Sequence, residues 1–172
     1  MKKFFLTICV AMFSLGTFAQ SAGEMAWGVH GLYGFKSENF GVGAIGQYNI
    51  TDPIRIEAGA DFWFKKYGVY NFDVQANAQY LIPIAGALKV YPMAGLGYMR
   101  WHSDGATYED DNIKVKVDGA SGGDIFFNLG AGAQYDLGDN MAFKIELRRL
   151  FKDGGQFCLF SGITFKLYSQ NG

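Results

Sequence analysis

From Asn71 to Ile82 the chain alternates without a break: Phe72, Val74, Ala76, Ala78, Tyr80 and Ile82 share one parity, and Asn71, Asp73, Gln75, Asn77, Gln79 and Leu81 share the other. Side chains leave a strand on alternate faces, so this stretch makes a ribbon with one apolar face and one almost wholly polar face. A helical period would scatter both sets around its circumference. The same signal recurs from Ile54 to Phe64, with Ile54, Ile56, Ala58, Ala60, Phe62 and Phe64 opposed to Arg55, Glu57, Gly59, Asp61 and Trp63. Such runs reach the roughly 9 to 11 residues that a tilted strand needs to cross a bilayer.

Three runs close on one phrase: Gly46-Gln47-Tyr48-Asn49-Ile50, Ala78-Gln79-Tyr80-Leu81-Ile82 and Ala133-Gln134-Tyr135-Asp136-Leu137. In each, the tyrosine joins the apolar face just before a turn, while the glutamine takes the polar one. A membrane interface selects tyrosine there, because the ring is apolar and the hydroxyl wants water. Further strands are read at Met25 to Lys36, Phe40 to Ile50, Leu88 to Trp101, Ile125 to Leu137, Met141 to Phe151 and Gln156 to Tyr168. With 54–64 and 71–82 they make eight. Thr51-Asp52-Pro53, Pro83 to Ala87 and Gly138-Asp139-Asn140 read as short turns. The connections after odd strands are more polar, and one runs from His102 to Asp124. This asymmetry predicts an all-β, eight-stranded, antiparallel up-and-down transmembrane barrel with its turns and both termini on the periplasmic side.

Alternation alone also describes a soluble barrel with its faces inverted. The aromatics decide between them. Trp27, Tyr48, Tyr80, Tyr135 and Phe143 stand near the turns on the apolar parity; Phe35, Phe40, Phe64, Phe72, Tyr98, Phe127 and Phe151 stand near the loops. Two girdles imply two interfaces. The polar face favours Gly, Asn and Gln over the Lys and Glu of a solvated surface. A soluble calycin-type barrel would want glycine two residues before Trp27, where Met25 stands.

Met1-Lys2-Lys3, the apolar run Phe4 to Leu15 and Gly16-Thr17-Phe18-Ala19 read as a secretory signal over 1–19, cut after Ala19. Cys9 follows Ile8, where a lipoprotein signal needs a small residue. The barrel domain is then 20–172, 172 − 19 = 153 residues long. Removing Lys2 and Lys3 from 15 basic residues leaves 13 against 16 acidic, a net charge of −3 with no sign of a nucleic-acid surface. Cys158 alone remains, so no intrachain disulfide forms. No other stretch approaches the ~18 apolar residues of a spanning helix.

Val90-Tyr91-Pro92-Met93-Ala94-Gly95-Leu96-Gly97-Tyr98, its strand context and the Gln-Tyr phrase resemble the small porin-family, opacity-protein-like outer-membrane β-barrels. The resemblance covers the mature chain through degenerate motifs. It implies outer-membrane lipid, with lipopolysaccharide among it, and the barrel assembly machinery as partners. Such barrels usually end on an aromatic residue read by that machinery; here Ile163, Phe165 and Leu167 alternate and Tyr168 to Gly172 follow.

Arg55, Glu57 and Asp61 on the third strand and Lys144, Glu146 and Arg148 on the seventh point inward from opposite walls. Their depths predict Arg55 against Glu146 and Lys144 against Glu57, with Arg148 and Asp61 above. Paired charges that plug the bore are the expectation, since buried charges are paired as a rule; a gated proton or ion path is the alternative. Lys66, Arg100 and Arg149 fall on the outward parity at the loop ends, where they reach lipid phosphates or simply snorkel. The 102–124 loop carries Asp104, Glu109, Asp110, Asp111, Asp118 and Asp124 against Lys114 and Lys116. It offers a surface to a ligand, but its spacing fits no EF-hand, and Ile113 to Val117 alternates as an extension of a strand into the medium would. No cofactor is expected. His102 and Ser103 would sit on opposite faces of a strand, and His30 has no nucleophile beside it in sequence. A rival lipid-modifying hydrolase or acyltransferase would need a site assembled across strands.

Overall fold

The computed structural model describes residues 22–66, 68–104, 106–110, 113–117 and 119–167, and no side chain within 105–118. The segment 1–19 expected to be a signal and the closing segment 168–172 lie outside these, as do the side chains of Glu109, Asp110, Asp111, Lys114, Lys116 and Asp118. The described chain forms β1 (Met25–Gly34), β2 (Asn39–Asn49), β3 (Ile54–Lys66), β4 (Val69–Tyr80), β5 (Ile82–Ala85), β6 (Leu88–Ser103), β7 (Ala106–Asp110), β8 (Ile113–Val117), β9 (Ala120–Asp136), β10 (Met141–Phe151) and β11 (Phe157–Leu167).

Eight long strands close on themselves, in the order β4, β3, β2, β1, β11, β10, β9, β6, with β6 pairing back to β4. The seam between the first and last strands runs from Met25 opposite Leu167 to Gly34 opposite Cys158. Strand burial is the inverse of a soluble protein's. Along β10, Phe143, Ile145 and Leu147 are exposed while Lys144, Glu146 and Arg148 are sealed inside. Leu96 is 61% and Ile125 77% exposed, whereas Glu57, Lys144 and Arg148 are 0% exposed. Only a hydrocarbon solvent makes that distribution favourable, and closure leaves no strand edge open to it. The aromatics read from sequence lie outward at both levels, and Phe62 and Phe157 join the loop-end girdle.

Three details depart from the sequence reading. The turn expected at 83–87 holds the short strand β5, which pairs with the start of β6 and turns at Gly86, φ +51°. Connections at the loop end are not generally long: β1 meets β2 through 35–38 and β3 meets β4 through 67–68, and only 104–119 is an excursion. Ile113 to Val117 does form a strand, but it pairs with β7 as a separate hairpin.

β6 and β9 also run further than the alternation indicates, pairing to Ser103 opposite Ala120. Gly122 and Gly123 look like loop residues in the sequence. In the sheet they make room for rings: a Cβ on Gly122 would lie 2.7 Å from the Trp101 ring, and one on Gly123 would lie 2.0 Å from the Tyr98 hydroxyl.

Candidate functional site

The lumen is filled in layers. At mid-depth β10 presents Lys144, Glu146 and Arg148, and the opposite wall presents Glu57 from β3. Lys144 Nζ contacts Glu57 Oε2 and lies 2.8 Å from Glu146 Oε1. Arg148 Nη2 donates to Glu57 Oε1 at 2.8 Å and also meets Glu146 Oε2, while its Nε donates to Glu146 Oε2 at 2.9 Å. Two carboxylates and two cations thus neutralise one another. Gln75 accepts from Arg148 Nη1 at 2.8 Å, and the guanidinium lies 4.1 Å from the Phe160 ring centre. Tyr91 from β6 donates to Glu146 at 2.7 Å. Its ring lies over Gly132, where a Cβ would come within 2.6 Å of it.

Toward the turns, the glutamines of the repeated phrase converge. Gln47 donates to Glu57 at 2.8 Å, while Gln79 and Gln134 accept from Arg55 Nε and Nη1, each at 2.7 Å. Arg55 therefore does not meet Glu146, contrary to the pairing expected from depth. The tilt of the strands staggers neighbouring residues, and Arg148 holds the Glu146 carboxylate instead. Arg55 also stacks 5.2 Å from the Tyr91 ring centre.

Toward the loops, Asp61 lies 2.7 Å from His30 Nε2 and accepts from Gln75 at 2.6 Å. It is directly opposite Asp73 on β4, which accepts the Trp63 indole N–H at 2.7 Å. Above them Leu32, Trp63, Met99, Phe126, Leu150, Cys158 and Phe160 form an apolar stopper. Sequence parity put Trp63 and Gln75 inside. It held no signal for their partners, because parity fixes face but not height.

Of the outward cations, Arg100 is exposed. Arg149 lies 4.9 Å from the Phe157 ring centre and 5.9 Å from that of Phe151. Lys66 Nζ donates to the carbonyls of Ser37 and Glu38 at 2.9 and 2.8 Å and lies 3.3 Å from Glu38 Oε2. It clamps the 35–38 connection, in which Glu38 adopts φ +47°.

At the root of the excursion Lys65 pairs with Asp104, and this hydrogen bond holds the Asp104 carboxyl below its usual range. The tie is present above the ordinary carboxylate pKa and is lost as pH falls through that lowered value. His102 Nε2 lies 3.7 Å from Asp104 Oδ1, both side chains being exposed. Among the described residues no three His, Cys, Asp or Glu side chains gather as a metal site.

Residues 5–164 match the family described as outer membrane protein beta-barrel domain. No curated protein matches the chain. The N-terminal β-barrel domain of Pseudomonas aeruginosa OprF superposes with a TM-score of 0.67 at 19% identity, covering 86% of this chain and 100% of that one. Neisserial surface protein A gives 0.60 at 14% identity over 86% of this chain and 97% of that one. Ail, the attachment invasion locus protein of Yersinia pestis, gives 0.60 at 12% identity over 86% and 100%. At these identities the likeness is one of fold.

Proposed function

Because this chain belongs to the outer membrane protein beta-barrel domain family, we propose that it is an outer-membrane scaffold with a sealed bore, which works through its surfaces rather than by conduction or catalysis. The observation that carries this reading is the filled lumen. Glu57, Lys144, Glu146 and Arg148 close across it at 0 to 1% exposure, beneath an apolar stopper. In this reading the signal at 1–19 directs export, the barrel assembly machinery inserts the chain, the turns face the periplasm, and the 104–119 excursion is displayed outside.

Planar-bilayer recording tests the sealed bore. The purified protein gives no steady conductance; a large, stable ohmic current through it would reject the scaffold and promote the narrow pore. Lipid A profiles with and without the protein are identical in this reading, and a changed acyl pattern would promote the lipid-modifying enzyme.

Contact with lipopolysaccharide phosphate is assigned to the loop-end cations Arg100 and Arg149, and to Lys66 on a different part of the rim. Arg149 supports it by lying 4.9 and 5.9 Å from the centres of two girdle rings, at the level where a head group sits. Since Lys66 also clamps 35–38, the informative variant is Arg100→Gln with Arg149→Gln. It retains less lipopolysaccharide through purification while the barrel stays folded. Equal lipid content in variant and parent would leave snorkelling alone.

A further inference from the structure

Among the described lumen cations, Arg55 stands apart. It is 2% exposed, and an arginine keeps its proton in any protein environment. Yet no carboxylate among the described residues forms an ion pair with it. Its Nε and Nη1 go to two neutral glutamine oxygens, and its Nη2 has no hydrogen-bond partner. Nearby carboxylates are engaged elsewhere: Glu57 and Glu146 with Lys144 and Arg148, and Asp136 with Lys89 at 2.8 Å. A buried charge without a counter-charge is strongly unfavourable.

Arg55 lines a cavity of about 20 Å³ at the turn-end mouth, together with Gln134, Asn49, Thr164, Lys166 and Glu24. Two of these groups are cations and one is an anion, and the Glu24 carboxylate lies 3.9 Å from Lys166 Nζ. The volume suits one water or one monatomic ion and is too small for phosphate or an organic acid. Water would satisfy Nη2 as a hydrogen-bond acceptor but would leave the charge of Arg55 without a partner.

We propose that the cavity beside Arg55 is a site for a single halide, chloride in the cell, which enters from the turn-end mouth and serves as the counter-ion of the buried guanidinium. The site is independent of the surface role proposed above, and a barrel of any function could carry it.

Bromide is the probe, on the full-length barrel folded in detergent micelles. Crystals soaked in bromide show an anomalous peak in contact with Arg55 Nη2. In urea titrations at fixed ionic strength, with bromide exchanged for the bulky monovalent anion gluconate, the unfolding equilibrium constant falls about tenfold per tenfold rise in bromide above saturation, as one-site linkage requires. Arg55→Gln removes that slope. Should this variant fail to fold, Glu24→Gln at the rim removes the competing carboxylate and makes half-saturation occur at several-fold lower bromide. The proposal is overturned by no peak at Nη2 together with identical unfolding in bromide and gluconate, which means that the cavity holds water only. A Glu24→Gln variant with unaltered bromide dependence would likewise overturn it.

Discussion

Glu57 is the residue on which the lumen turns, because Lys144 and Arg148 both reach it from the opposite wall and Gln47 supports it from the adjacent strand. Glu57→Gln leaves two buried cations to share Glu146, and the expected cost is about 3–5 kcal/mol, read as a lower urea midpoint in lipid vesicles. Trp63→Phe keeps the apolar stopper but takes the indole N–H from Asp73, at an expected cost of about 1–3 kcal/mol. That loss should shrink when Asp73→Asn is introduced with it, and a strictly additive pair would break the coupling. Gly43→Ala places a Cβ 1.9 Å from Asp61 Oδ1 and 2.5 Å from His30 Nε2, so it should dislodge that pair and lower stability. The inward side of Arg55, Glu57, Asp61, Lys144, Glu146 and Arg148 was legible in the sequence, since period two assigns a face to every residue. Which of them touch was not, because heights depend on tilt and stagger, and these belong to the closed barrel rather than to any strand.

Among the elements, β4 is the one the alternation describes best, and Ala76 sits at the middle of its outer face, opposite Ala58 and Leu96. Ala76→Arg should cost about 2–4 kcal/mol by urea unfolding in vesicles; unchanged stability would mean that this face does not meet hydrocarbon. The ladder of β6 and β9 makes the opposite point. Its ends at Ser103 and Ala120 were hidden because Ser121-Gly122-Gly123 carries loop chemistry, yet both glycines are cut to the rings of Trp101 and Tyr98. Gly122→Val should push the Trp101 ring away and open this extension alone. Amide exchange then accelerates at 101–103 and 120–122 while the rest of β6 stays protected, and a uniform acceleration would show instead that the extension is continuous with the barrel's cooperative unit.

For the whole molecule, a closed ring of eight strands with its polar groups inward should resist detergent denaturation in the cold. An unheated sample migrates as a compact species on denaturing gels and shifts on boiling; one mobility at both temperatures would argue against closure. The seam adds a temporal consequence. Met25 is paired with Leu167, near the opposite end of the described chain, so the ring cannot shut until the last strand has arrived. Before that moment two raw edges face lipid and the Glu57 and Lys144 walls are apart, so neither backbone nor charge is satisfied. A half-built barrel is therefore a poor resting state. Insertion of β11 and the joining of the lumen charges should be one event, and folding should be slow, concerted and intolerant of a chain that lacks its final strand.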